Sequence, residues 1–295
     1  MIIVGSMLWG ATGPTMEWLL NQTMMTAEFM LALRLILAGI FILTLLKIQK
    51  KDITSVWKNR HYATQLVIFS LLGMVGLQYT FVKSIEVSNA IIATLLQFLA
   101  PIFIVIYVSL RYKSWPPKTQ VIGIVGTLVG LYLLLTNGSI STILVSSDAL
   151  IWGVFLGLTY AFYTLYPARL MAEIGVIMII GWGMIISGAV FACLGRIWSA
   201  AQWQLLEDPI IVVIIIGISL FGATAFILFL SSLKYITPVE TSILSSFEPL
   251  TAMMISVLWL GSVLMRWQIV GILLMLIFVS YLSIAGNKNS PTKEA

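Results

Sequence analysis

Apolar residues in this chain gather into ten runs of about twenty, separated by short polar connectors. Twenty mostly apolar residues in a helix are what a bilayer's hydrocarbon core requires. The runs cover roughly 2–20, 26–46, 63–83, 88–110, 117–136, 149–168, 174–195, 209–232, 237–260 and 266–286. They predict an all-α polytopic membrane protein with ten transmembrane helices. The polar stretch 287–295 reads as a cytoplasmic tail. Met1 opens directly into the first run, with neither a basic leader nor a small-residue cleavage site, so no cleaved signal peptide is expected.

A weak internal repeat organises these runs. Pro101 pairs with Pro249, Gln120 with Gln268 and Gly123 with Gly271, each pair 148 positions apart. The same shift sets Phe81 on Phe229, Ser84 on Ser232, Thr94 on Ser242 and Leu96 on Leu244. Two halves follow, 1–136 and 149–286, of five helices each. Five is odd, so the second half enters the membrane inverted relative to the first. Inverted repeats offer two packings of nearly equal energy, the physical basis of alternating access.

Charge sets the orientation. With the N-terminus inside, twelve Lys and Arg fall in cytoplasmic segments, among them Lys47, Lys50, Lys51, Lys58, Arg111 and Lys113. Three, Lys83, Arg196 and Arg266, fall outside, and Arg34 alone lies within a span. That is the positive-inside bias, and it places both termini in the cytoplasm. The net charge of +5 is explained this way, with no need of nucleic acid as a partner. Trp18, Trp57, Trp115, Trp198, Trp203 and Trp267 stand at span ends or in connectors, where indole bridges lipid and water.

Composition narrows the chemistry. The chain is 60% hydrophobic and 9% charged, against about 25% charged in soluble domains. One Cys and one His allow neither a disulfide nor a His-based metal site, and no metal or cofactor is expected. No GxxxxGK[ST] loop is present for direct ATP hydrolysis. An intramembrane enzyme would need an HExxH, a Ser–Lys pair at one depth or clustered acids. The first is absent and Glu248 is the one deep acid.

Ionisable groups within spans are costly and so are candidate functional groups. Arg34 admits an anion contact or a fixed ion pair. Glu248 precedes Pro249, inside the ninth run; a proline there frees a carbonyl one turn earlier. Such a break is tolerated only where protein or a watery cavity satisfies the backbone. Glu248 therefore reads as a proton or cation contact, or as the partner of Arg34 in a charge pair. Thr94, Gln97 and Pro101 share one helix face, and Ser242, Ser245 and Pro249 repeat it. Two polar faces that each end at a proline suit a central cavity, or else helix–helix hydrogen bonds.

The sixth run carries Trp152, Thr159, Tyr163 and Tyr166 along one stripe. Trp9 in the first run occupies a comparable Trp–Gly pair. Aromatic stripes usually pack, but these are mixed with hydroxyls, so Trp9, Tyr79, Trp152, Thr159 and Tyr163 join the cavity candidates. Gly126 and Gly130 form a GxxxG, which serves close packing within the chain or a homodimer. Lys83 with Glu86, and Lys234 with Glu240, read as interfacial charges.

Several segments resemble the EamA-type branch of the drug/metabolite transporter superfamily. They are Leu8–Gly10, the Leu33–Leu35 run leading to Ala38 and Gly39, and Tyr79–Ala90 continuing to Leu99–Pro101 and closing on Gln120, Gly123 and Gly130. The second half echoes them through Pro249, Leu260, Gly261, Gln268 and Gly271. One departure is clear. The acid that family members often carry after the fourth and ninth spans is missing from Arg111–Pro117 and Ser262–Arg266. The resemblance implies a small-molecule carrier of the cytoplasmic membrane, secondary active, moving metabolites, amino acids or drugs. The alternative is a non-transporting membrane sensor or partner subunit.

Overall fold

The computed structural model describes residues 1–139, 144–232, 244 and 246–288. The described chain is helical throughout, and no strand occurs among the described residues. Ser242, Ser245, Lys234 and Glu240 lie outside them.

The helices are α1 (Ile2–Thr23), α2 (Ala27–Ile48), α3 (Arg60–Ile68), α4 (Val75–Val87), α5 (Ala90–Leu96), α6 (Ala100–Tyr112) and α7 (Lys118–Thr136). They continue as α8 (Ser147–Leu165), α9 (Ala168–Ile174), α10 (Val176–Leu194), α11 (Pro209–Ser232), α12 (Phe247–Leu258) and α13 (Arg266–Lys288). Among the described residues, seven helical stretches are long and apolar enough to cross a membrane. They are Ala27–Ile48, Arg60–Val87, Ala90–Tyr112, Lys118–Thr136, Ser147–Ile174, Val176–Leu194 and Pro209–Phe229. α1 has the length, with 22 residues. Its Ser6, Thr12, Pro14, Thr15 and Glu17 make it more polar than the rest. α12 and α13 are shorter apolar helices in their described parts.

Local chemistry sets the helix ends. Thr26, Asn89 and Ser146 cap α2, α5 and α8, each side chain accepting a hydrogen bond from a first-turn N–H. Gly175, at φ 102°, makes the left-handed turn between α9 and α10.

Three breaks were not drawn as boundaries by hydropathy. A π turn, Phe69–Met74, joins α3 to α4. The N–H of Val75 bonds the Ser70 carbonyl across it, and the Ser187 hydroxyl of α10 donates to that same carbonyl at 3.1 Å. The second break is a 3₁₀ turn, Gln97–Leu99, between α5 and α6. Pro101 has no N–H for the Gln97 carbonyl, and the Ala100 N–H takes it in the tighter i→i+3 pattern. The third is Pro167, which parts α8 from α9 inside the sixth apolar run.

The interior is built by α1, α2, α4, α5, α8, α10 and α11. α2 lies along α10, and α7 along α13. α1 packs on α11 and α12, while α8 packs on α4 and α6. Outward faces carry large exposed apolar residues such as Leu72, Ile106, Val213 and Ile277. That surface needs lipid around it.

Two contacts cross one end of the bundle. Glu17 of α1 accepts a hydrogen bond from the Ala90 N–H at 2.7 Å, at the start of α5. Next to it, Trp18 stacks on Trp259, past the end of α12, with ring centroids 5.9 Å apart.

Candidate functional site

Arg34, Gln78, Thr94, Gln97 and Glu248 converge on one cavity of about 120 Å³ between α1, α2, α4, α5, α8, α10, α11 and α12. A water needs about 10–15 Å³ by the same measure, so the space suits a compact organic molecule or a cluster of waters. Its wall carries two ionisable groups of opposite sign, Arg34 and Glu248.

Each is held by a glutamine. Arg34 projects from the middle of α2 and is 8% exposed. Its Nη1 donates to Gln78 Oε1 at 3.1 Å and approaches the Met16 sulfur at 3.4 Å. Gln78 follows the π turn by four residues; the extra residue in that turn shifts the register and aims Gln78 at Arg34. Glu248 stands in the first turn of α12, and its Oε1 accepts from Gln97 Nε2 at 2.9 Å. Gln97 opens the 3₁₀ turn before Pro101, so the proline break places the amide that meets the acid.

Arg34 and Glu248 thus share a cavity without pairing. The ion pairs among the described residues are Lys58–Asp52, Lys83–Glu86 and Arg169–Glu173. The charge pair anticipated between the two buried groups is replaced by two charge–amide bonds.

Glycines bring the walls together. A Cβ on Gly10 would lie 2.2 Å from the Glu248 carbonyl oxygen, so α1 touches α12 backbone to backbone there. That contact places Trp9 against the cavity, with its ring packed on Phe226 at 5.5 Å and Phe229 at 5.2 Å. Gly153 and Gly157 let α8 approach the side chains of Leu96, Leu99 and Phe103.

The expected site residues divide. Trp9, Arg34, Thr94, Gln97, Tyr163 and Glu248 line the cavity. Pro101 lines a second cavity of about 200 Å³, which shares Gln97 and Tyr160 with the first. Pro249 is buried in the first turn of α12, where its missing N–H breaks no bond of the described helix. Trp152, Tyr79 and Thr159 are not on the cavity wall. Tyr79 meets Trp152 edge-on at 5.9 Å and stacks on Phe191 at 6.1 Å. Thr159 lies 3.0 Å from the Thr80 hydroxyl. Tyr166 stacks on Phe162. Lys83 pairs with Glu86 at 2.6 Å and sits over the Tyr79 ring.

Thr12, Gln78, Tyr160 and Phe226 were not singled out from sequence, yet they line the cavity. Gln78 had a visible signal, as an amide in the middle of an apolar run. Tyr160 sits three residues before Tyr163, on the side of α8 adjacent to the stripe that was chosen.

The second cavity extends from Gln97 and Tyr160 past Ala100, Pro101, Ile104 and Thr164 to Ser246, Leu276 and Val279. Its α6 and α8 residues all follow Gln97 and Tyr160 in sequence. It therefore lies along the first turns of α6 and the last turns of α8, on the side of Gln97 away from the Glu17–Ala90 contact.

Comparison with known proteins places this arrangement. The sequence matches the EamA-like transporter family twice, over residues 1–136 and 148–284. It is 35% identical over 264 residues to "Uncharacterized inner membrane transporter YicL" of Salmonella typhimurium, covering 88% of this chain and 86% of that one. It is 25% identical over 234 residues to "Uncharacterized transporter YyaM" of Bacillus subtilis, covering 75% and 73%. A solved crystal structure shares the fold at a TM-score of 0.58 and 12% identity, covering 95% of this chain and 97% of its own. The chain belongs to the EamA-like transporter family. It is a multi-pass membrane protein of transporter type.

Proposed function

We propose that the chain carries a small organic solute across the cytoplasmic membrane by alternating access. It does so as two inverted five-helix halves, ten spans in all, with both termini in the cytoplasm. The observation that carries this reading is the polar cavity walled by both halves and joined across them by the Gln97–Glu248 hydrogen bond.

The packing pattern supports it. Exchanging the first five spans for the second turns the α1–α11 contact into α8 with α4, and the α1–α12 contact into α8 with α6; both are present. The α2–α10 and α7–α13 contacts map onto themselves. An approximate two-fold axis in the membrane plane has this property. The Glu17–Ala90 tie closes one end, and the second cavity approaches the other, where the basic connectors lie. On the positive-inside rule that open side is cytoplasmic. No nucleotide-binding motif is present in the sequence, so transport is driven by solute or ion gradients.

Reconstituted protein with Cys193→Ser and a single new cysteine tests this. Thr164→Cys should react with an impermeant maleimide from the basic side. Thr12→Cys should become reactive from the opposite side when Glu17→Ala loosens the tie. Counterflow with a panel of amino acids, amines, sugars and nucleosides should give flux for one class. Absence of flux for every class, with labelling indifferent to Glu17→Ala, would return the chain to a sensor or partner subunit.

A further inference from the structure

We infer that the central cavity selects a small zwitterion, with Arg34 taking its carboxylate and Glu248 its ammonium group. This rests on the carrier function proposed above and names the class of solute for that cavity.

The observation is a pair of buried groups of opposite sign, each bound, among the described residues, to neutral partners. Nη1 of Arg34 is engaged by the Gln78 amide oxygen and the Met16 sulfur. Among the described residues its Nε and Nη2 make no hydrogen bond, and the side chain is more than nine-tenths buried on the cavity wall. Gly222 stands before Nη2. A Cβ added there would lie 3.4 Å from Nη2 and touch nothing else, so the glycine leaves that side of the guanidinium open. On Glu248, Oε1 holds the Gln97 amide and Oε2 has no partner among the described residues. A guanidinium offers five donors and a carboxylate about four acceptor sites, so both groups keep most of their capacity for a ligand.

Charge balance then chooses the solute. An anion alone, once enclosed, would leave Glu248 buried and unmatched. An amine alone would leave Arg34 so, and a sugar would leave both. A zwitterion satisfies the two ends in one enclosed volume, where charge-assisted hydrogen bonds are strongest. Rings of Trp9, Tyr160 and Phe226 also line the wall, and they suit an alkylammonium group through cation–π attraction. The two groups share a cavity of about 120 Å³, which suits a compact solute. A short α-amino acid and a betaine share this chemistry.

The test uses the full-length protein, purified and reconstituted, with L-alanine, glycine betaine, alaninamide, propionate, a hexose and a nucleoside as probes. Thermal stabilisation and exchange flux are read for each. Alanine or glycine betaine should act at concentrations at least about tenfold below alaninamide and propionate, since each analogue loses a charge-assisted bond. A response confined to alanine assigns a primary ammonium donating to Glu248; one confined to glycine betaine assigns a quaternary group held by the rings. Glu248→Gln should shift the preference toward propionate, and Arg34→Gln toward alaninamide. Gly222→Ala removes no charge and should weaken alanine and propionate but not alaninamide, which keeps the test open if Arg34→Gln fails to fold. Equal responses to alanine, alaninamide and propionate would overturn the inference, as would a response to only one of the singly charged analogues. Stabilisation and flux with the hexose or nucleoside alone would overturn it and leave the carrier standing. No response to any probe would overturn both.

Discussion

The α7–α13 pair and the central cavity are both places where the two matched halves meet, and they meet by opposite means. Between α7 and α13 the backbones themselves touch. A Cβ on Gly130 would lie 2.7 Å from the Gly271 carbonyl oxygen, and one on Gly271 would lie 2.5 Å from that of Gly130. A Cβ on Gly126 would sit inside the Phe278 ring. At the helix ends, Gln268 donates to the Leu134 carbonyl and Asn137 accepts from the Trp267 N–H, each at 3.1 Å. The GxxxG motif is thus used within the chain. Around the cavity, the halves meet at one glycine, Gly10 against the Glu248 carbonyl, and through a side-chain hydrogen bond, Gln97 to Glu248, while Arg34 to Gln78 is a second such bond within the first half. Backbone contact between small residues has one close-packed solution, whereas amide–charge bonds form and break with rotamer changes. The first region suits a fixed hinge or scaffold and the second a moving site.

The comparison breaks most readily at the glycines. Gly271→Val puts a branched side chain where the obstacle is the backbone of α7. Ordinary overpacking costs about 1–3 kcal/mol, and this position belongs at the upper end because no rotamer change relieves it. The expected outcome is loss of monodisperse protein in detergent, or a large fall in melting temperature, and the same for Gly130→Val. If either variant keeps wild-type stability, α7 and α13 have room to part and the fixed-scaffold view fails.

Gln97→Leu sharpens the other side. It removes the amide that orients Glu248 but alters no backbone contact. Inter-helix hydrogen bonds in membranes are worth about 0.6–1.7 kcal/mol, so the melting temperature should fall modestly. Transport should fall by about ten- to a hundredfold, because the carboxylate loses the Gln97 donor and its placement. Unfolding of Gln97→Leu as severe as that of Gly271→Val would show that the cavity bonds are structural, and the contrast between the two regions would collapse.

Much of the helix pattern was legible because apolar run length is a strong signal. The run at 26–46 became Ala27–Ile48, and that at 117–136 became Lys118–Thr136. The kink in the fourth run was also written, in Pro101. The π turn at Phe69–Met74 carried no comparable mark: its residues suit an ordinary helix, and Ser187, 117 residues after Ser70, supplies the stabilising bond. In the site, Arg34, Gln97 and Glu248 were found because a polar group in an apolar run is expensive. Tyr160 was missed because an aromatic on such a helix carries no penalty that would expose it. For the same reason Trp152 and Tyr79 were grouped with the cavity, although they pack against each other beside it. The spacing of Trp152, Thr159 and Tyr163 gave a face of α8, and only tertiary packing decides which part of that face meets solvent-sized space.

The smallest effect is expected at a contact that belongs to neither region. The hydroxyls of Thr80 on α4 and Thr159 on α8 are 3.0 Å apart. Each also lies within donating distance of its own helix, Thr80 at 2.8 Å from the Gly76 carbonyl and Thr159 at 2.9 Å from that of Phe155. A hydroxyl has one proton, so at most one of the two donates across the interface, and only by giving up a bond at home. The net coupling is therefore expected near the average for membrane helix contacts, about 0.6 kcal/mol or less. A double-mutant cycle of Thr80→Val and Thr159→Val, followed by melting temperature and by flux, measures it. Near-additive behaviour in both readouts would leave the α4–α8 contact as packing, held by Gly76 against the Thr159 methyl. A coupling well above 1.7 kcal/mol, the largest seen for such bonds, would instead make this hydroxyl pair a third kind of junction, tied by side chains yet as fixed as the glycine seam.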